Sequence, residues 1–213
     1  MTHIPDQKAG HWLPAVPGET LLGKDTRSAV PVPPPAEVLS RFRFRSWDQQ
    51  DLPRFCAMLD DPDLWRYMHE DYPGTMTPDL GQTLIDVSRQ ASHHKVRAVE
   101  YDGQLVGQAR MQWHTQTTPP QSGELSYWVA REHWGRGLAT PIVAIFIWRC
   151  ISMFPALARI TARIHRDNTA SQKVVQRLGF RVTDEAARDN WQTHEILRSD
   201  GIDLSRVTLP RMP

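Results

Sequence analysis

Residues 127–140, YWVAREHWGRGLAT, carry the chemistry that can be read most directly from this sequence. Tyr127, Trp128 and Val129 favour extended backbone. Gly135 and Gly137 follow, and a long apolar-periodic segment begins at Leu138. A strand therefore feeds a glycine-lined turn that opens a helix. The first N–H groups of a helix have no partner inside it, and the aligned peptide dipoles add partial positive charge there. Glycine lets the backbone approach a bulky anion. The turn is thus suited to phosphate. Its donors are the N–H groups of Gly135, Arg136, Gly137, Leu138, Ala139 and Thr140, and the Arg136 side chain is the nearest cation. Pro141 has no N–H to add. No lysine followed by serine or threonine stands where a P-loop needs one, and the third glycine and early βαβ unit of a dinucleotide fingerprint are missing.

The flanking elements must hold that turn in place. VLSRFRFR, residues 38–45, alternates apolar and basic positions and predicts a strand. Asp48 caps a helix predicted through residue 61, with Leu52, Phe55, Met58 and Leu59 at helical spacing. A second helix is predicted over 78–91, with Leu80, Leu84 and Val87 on one face. Residues 94–114 read as a hairpin about Asp102-Gly103. A third strand spans about 124–130 and runs into the glycine turn. Beyond it, Leu138, Ile142, Phe146 and Cys150 make one helix face. Residues 158–166 form a strand, and 167–180 a helix with an Asp167 or Asn168 cap and a Gly179 stop. Residues 191–199 form a last strand. This order predicts an α/β fold in which helices flank a mixed central sheet.

The 213 residues suit one domain with an extension. Seven of the 17 prolines fall in the first 36 residues, where no helical or strand period survives. The chain thus divides into a proline-rich N-terminal arm, 1–36, and a domain, 37–213. The arm is expected to add little to the core. A net charge of +1 makes no case for direct contact with nucleic acid. Cys56 and Cys150 match no metal or redox spacing and read as reduced thiols of a cytoplasmic protein. His93 and His94 are adjacent, so their rings diverge, and no metal site is expected. No apolar run opens the chain, and the longest, 141–148, is too short to span a membrane.

With these elements in place, the chain resembles the GNAT superfamily of acyl-CoA-dependent N-acetyltransferases. The family's Gln/Arg-x-x-Gly-x-Gly/Ala motif falls on Trp134 to Ala139, with Trp134 in place of Gln or Arg. An aromatic there is similar to the ribosomal-protein N-terminal acetyltransferase branch. A later Asn-x-x-Ser…Leu-Gly-Phe signature matches at Asn168, Ser171, Leu178, Gly179 and Phe180. The resemblance covers about residues 38–200. It implies the GNAT fold, acetyl-CoA as co-substrate, and direct attack by a primary amine without a covalent enzyme intermediate.

It also implies roles for individual residues. Glu124, just before the cofactor turn, would be the general base. The N–H of Val129 would stabilise the oxyanion, and Trp128 would line the cofactor beside it. Ser171 would hydrogen-bond the departing sulfur, and Asn168 the pantetheine arm. Many family members place a tyrosine acid four residues after that serine, where this chain has Val175. The departure leaves open which group protonates the thiolate. It also keeps a second class in view, a catalytically inactive acyl-CoA-binding module.

The acceptor is less legible. WRYMHEDYP, residues 65–73, lies where similar enzymes form the acceptor pocket, which makes Trp65, Tyr67, His69 and Glu70 its candidates; His114 would be a second base or acceptor contact. Residues 131–181 carry nine Arg/Lys against two acids, whereas 48–86 carry nine acids against two arginines. The basic half suits a phosphate-bearing cofactor and the acidic half a cationic acceptor. The acceptor is expected to be a protein N-terminus or a small cationic amine, and the enzyme a monomer or homodimer.

Overall fold

Asp102 and Gly103 both take positive φ, 51° and 79°, the conformation a tight two-residue hairpin turn demands. They join β2 (His94–Tyr101) to β3 (Gln104–Trp113), the antiparallel pair around which the sheet is built. The computed structural model describes residues 30–90, 92–113, 119–184 and 190–210. On one side of the hairpin, β1 (Phe42–Arg45) forms an antiparallel edge on β2. On the other, β4 (Ser122–Val129) runs antiparallel to β3, and β5 (Arg159–His165) runs parallel to β4. β7 (Trp191–Leu197) and the edge strand β6 (Arg181–Asp184) complete a seven-stranded mixed sheet of order β1-β2-β3-β4-β5-β7-β6.

Side-chain alternation gives the sheet two apolar faces. Leu125, Val129, Ile160 and Ile164 face one cluster with α5 (Ala139–Met153) and α6 (Thr169–Arg177). Ile202, Leu204 and Val207 join that cluster, and α5 is buried almost all round, from Pro141 to Ile147 and again at Cys150 and Ile151. Val96 and Ala98 face a second cluster with Trp47, Phe55, Met58 and Ile85, built on α2 (Leu52–Leu59) and α4 (Pro78–Gln90). Gly81 lets these two helices touch, because a Cβ there would stand 2.4 Å from Cys56 Sγ.

Three sequence expectations are corrected. The strand over 38–45 is half helix: α1 (Ala36–Arg41) precedes β1, with the Val38 and Leu39 N–H groups donating to Pro35 O. Val38 is buried as a helical residue, so the apolar–basic alternation holds only from Phe42. The single helix over 48–61 is a short 3-10 turn capped by Asp48, then α2, then α3 (Pro62–Trp65), since Pro62 cannot donate into a continuing helix. β6 was not expected, having four residues at an edge and one aliphatic side chain.

The end of the proline-rich segment belongs to the folded unit. Val32 pairs with Asp203, its N–H donating to Ile202 O at 2.9 Å and its carbonyl accepting from Leu204 N–H at 3.1 Å. Pro31 and Pro34 are buried. Residues 1–29 of the arm lie outside the described residues.

Candidate active site

β4 and β5 pair only at Ser122–Arg159, Gly123–Ile160 and Glu124–Thr161. From Leu125 onward β4 keeps β3 on one side and has no ladder partner on the other, so an opening lies between the two parallel strands. The ladder also says which groups face it. Ala130 N–H donates to Val106 O at 2.9 Å, and in an antiparallel pair such bonds recur at every second residue. Trp128, Ser126 and Glu124 therefore bond to β3, while the main-chain groups of Leu125, Tyr127 and Val129 face the opening. Trp134 confirms the phase: its indole N–H donates to Val129 O at 2.6 Å from the opening side. The Val129 N–H is left where the sequence expects an oxyanion donor.

The glycine turn closes one end of the opening. Gly135 and Gly137 hold φ of 72° and 84°, values that other residues adopt only at a cost of about 1–2 kcal/mol. Nothing lies within 4 Å of where a Cβ would stand at either, so the glycines are required by backbone conformation and leave the surface clear. α5 begins immediately after, with Leu138 at its N-cap and no capping side chain. Among the described residues no side chain caps its first N–H groups, and an uncapped helix start next to a cleared surface fits a pyrophosphate. Arg136 hydrogen-bonds His133 Nδ1 at 3.1 Å, and its Nε is buried without a hydrogen-bond partner among the described residues.

On the α5–α6 side of the opening stands the start of α6. Asn168 caps it, its Oδ1 accepting from Ser171 N–H at 3.1 Å. The Ser171 hydroxyl lies 2.9 Å from the Tyr127 hydroxyl. Val175 is fully buried in the core and, as a valine, has no donor to offer the opening. The spacing from Ser171 to Val175 could not reveal that. The Tyr127 contact spans 44 residues and had no signal in the sequence.

The opposite face of the sheet carries Glu124. Register places Gln112 and Arg110 of β3, Glu124 and Ser126 of β4, and Thr161 and Arg163 of β5 on this one face. The loop after α3 lies over it, with His69 stacked on Trp191 at 3.9 Å and Tyr67 tilted over His165 at 5.4 Å. Loss of water around the His69 ring lowers its pKa, and Arg163 adds to this; Glu124 and Glu70 act in the opposite sense, with Arg110 also near enough to be felt. Tyr67, His69, Glu70 and Glu124 thus share a neighbourhood. Trp65 does not join them, since its indole N–H donates to Leu59 O and its ring packs on the α2–α4 cluster. Trp128 also turns away, stacking on Trp47. His114 lies outside the described residues.

The acidic half is largely consumed by structure. Asp51 is paired with Arg45 at 2.5 Å. Asp61 and Asp63 hold Arg131, and Asp60 accepts from Tyr72 Oη–H and Met76 N–H. Sequence counting could not see this, because Arg45 and Arg131 lie outside that stretch. Among the described residues no group of three or more His, Cys, Asp or Glu is placed to hold a metal ion, and no helix is long and apolar enough to cross a membrane.

A sheet parted at two parallel strands, with a glycine-lined helix start at its end and a carboxylate on one face, is the arrangement expected of an acyl-CoA-dependent transferase. Residues 41–181 match the acetyltransferase (GNAT) domain family. The chain belongs to that family and is an acyl-CoA-dependent acetyltransferase. It is 27% identical over 150 residues, 66% of this chain and 79% of the relative, to the uncharacterized N-acetyltransferase p20 of Bacillus licheniformis. Its fold is similar to that of RimL, a ribosomal L7/L12 α-N-protein acetyltransferase, in complex with coenzyme A (TM-score 0.64, 12% identity, 74% of this chain and 94% of that one). The fold is also similar to that of the Vibrio cholerae spermidine N-acetyltransferase in complex with CoA and spermine (TM-score 0.63, 16% identity, 75% and 97%).

Proposed function

We propose that this protein transfers the acetyl group of acetyl-CoA directly to the α-amine of a protein or peptide N-terminus. The observation that carries the proposal is Glu124 at the last paired position of β4, on the face opposite Ser171, with the opening beginning one residue later. Cofactor and acceptor then approach the same gap from opposite faces. The N–H groups of Gly135 to Thr140 hold the pyrophosphate. Glu124, directly or through water, takes the proton from the attacking amine. The N–H of Val129 donates to the oxyanion, and Ser171 Oγ–H donates to the departing sulfur.

Two points favour an α-amine over a small cationic amine. An α-amine has a reference pKa near 8 against about 10.4 for a lysine-type amine, so less work is needed to deprotonate it. Five of the nine acids in the 48–86 stretch, Asp48, Asp51, Asp60, Asp61 and Asp63, are engaged with Arg45 and Arg131, in capping, or with Tyr72, which leaves fewer to attract a polycation. RimL acts on a protein α-amine, whereas the Vibrio enzyme acts on spermidine. The free thiols Cys56 and Cys150 suit the cytoplasm.

Mass spectrometry of peptides acetylated by the enzyme, with the α-amine and lysine amine blocked in turn, tests the acceptor. α-Amine products are expected to dominate near neutral pH; a preference for spermidine or lysine would overturn the choice. Glu124→Gln is expected to lower turnover by about 10²-fold or more while leaving acetyl-CoA affinity unchanged. Unchanged turnover would remove Glu124 from the mechanism and direct attention to His69. Val175 in place of the family's tyrosine favours a second reading, an acyl-CoA-binding module without catalysis. Acetyl-CoA binding with no thiol release on any amine would establish that one.

A further inference from the structure

The Tyr127 and Ser171 hydroxyls bridge β4 to the first turn of α6 at 2.9 Å. From this geometry we infer that Tyr127 is a positioning residue for catalysis, holding Ser171 so that the serine O–H is directed at the departing CoA sulfur. This rests on acetyl-CoA occupying the β4–β5 opening, as proposed above.

Four observations converge on it. First, the Ser171 main-chain N–H is already fixed by Asn168 Oδ1 at 3.1 Å, and the hydroxyl makes no other hydrogen bond among the described residues. Its direction is therefore set by Tyr127. Second, Tyr127 stands on the stretch of β4 that has β3 but no β5 beside it, two residues before Val129, and its side chain packs against the α5–α6 cluster. The pair thus lies across the cofactor side of the opening, opposite the face that bears Glu124. Third, Val175 is fully buried, so the family's usual acid position cannot supply a donor here. Fourth, burial pushes the Tyr127 phenol up to about 12. It stays protonated at any working pH and is a lasting donor. Either hydroxyl can donate in this pair; in the arrangement the inference requires, the phenol gives its proton to Ser171 Oγ and the serine proton is left to point elsewhere.

The same burial holds the phenol proton tightly and so disfavours Tyr127 as the acid. In the balanced step the amine nitrogen forms the new N–C bond and the C–S bond breaks with its electron pair on sulfur. The amine proton leaves through Glu124, and both hydroxyl protons stay where they are. Ser171 and Tyr127 act by hydrogen bonding to the sulfur as its charge grows, which requires no tyrosine at position 175.

A double-mutant cycle with Tyr127→Phe and Ser171→Ala tests the inference. Tyr127→Phe is expected to lower kcat about tenfold, the scale of one hydrogen bond, with the KM for acetyl-CoA unchanged. Ser171→Ala is expected to lower kcat at least as much, and the double variant should be no slower than Ser171→Ala alone. An unchanged kcat in Tyr127→Phe, a full further loss in the Ser171→Ala background, or a raised KM with kcat intact would each overturn it. A second measurement does not need turnover: the thiolate absorbance of bound CoA against pH. Tyr127→Phe and Ser171→Ala should each move that titration about one pH unit higher, tenfold in the proton equilibrium. An unmoved titration refutes the inference even if no amine is acetylated, and absent turnover with the titration moved refutes only the proposed function.

Discussion

The Trp134 indole N–H donates to the Val129 carbonyl at 2.6 Å, tying the glycine turn to the last residue of the strand it leaves. Trp134 is 46% exposed, so it is not there to fill the core. Arg131 lies over its ring at 6.0 Å and is itself held by Asp61 and Asp63. The residue that departs from the family's Gln/Arg thus acts as a strut. It engages the Val129 carbonyl on the side of β4 that lacks a β5 partner, the side on which the Val129 N–H also lies.

Trp134→Phe keeps the ring and removes the donor. Losing about 1 kcal/mol of hydrogen bond from the turn should raise the KM for acetyl-CoA roughly fivefold, with a smaller effect on kcat. Steady-state kinetics at saturating acceptor will show this, and an unaltered KM would mean that the strut is dispensable.

Gly137→Asp places a negative charge at a φ of 84° that aspartate adopts only under strain. Space is not the obstacle, since nothing lies within 4 Å of the Cβ position. Acetyl-CoA binding by calorimetry should therefore weaken by well over tenfold, while Gly137→Ala should weaken it less. An affinity for the aspartate variant within about threefold of wild type, roughly 0.7 kcal/mol, would put the phosphate elsewhere.

His194 makes the fold sensitive to acid. It is fully buried on β7, and neither ring nitrogen has a hydrogen-bond partner among the described residues. Burial lowers its pKa, as it does for His133 and His94. Below the unfolded value near 6.5 the unfolded chain takes up protons that the fold refuses, so stability falls as pH drops through that value and stops falling below the folded one. His194→Leu also removes two unsatisfied buried groups, worth about 1–3 kcal/mol. The variant should melt higher than wild type at pH 8, and by a wider margin at pH 5.5. Equal margins at the two pH values would free His194 from the acid response.

Two truncations separate the proline-rich segment into parts. Deleting residues 2–29 should leave the melting temperature close to that of the full chain, since proline-dense sequence without periodicity rarely builds a core. Deleting 2–34 also removes the Val32 pairing with Ile202 and Leu204 and the buried Pro31 and Pro34. It should lower the melting temperature by about 5 °C, the scale of a 2 kcal/mol loss in a domain of this size. Equal melting of the two shortened chains in calorimetry would show that the pairing adds nothing.

What the sequence determined by itself was local. Gly135, Gly137 and the apolar period from Leu138 defined the turn and its helix, and Asp102-Gly103 fixed the hairpin. Asn168 and Gly179 marked the ends of α6, as its cap and its positive-φ stop show. Each rests on backbone preferences that act within a few residues. Tertiary structure decided the rest. The parting of β4 from β5 after Glu124 depends on how two strands 37 residues apart diverge, and the Tyr127–Ser171 pair exists only once they have parted. Trp128, adjacent to Val129, lies on the sheet face opposite Tyr127 and Ser171 because alternation along β4 turns it toward Trp47. The acidic stretch is engaged by Arg45 and Arg131 from elements on either side of it. Partners of that kind are chosen by register, strand divergence and burial, which belong to the assembled sheet and not to any short segment of the chain.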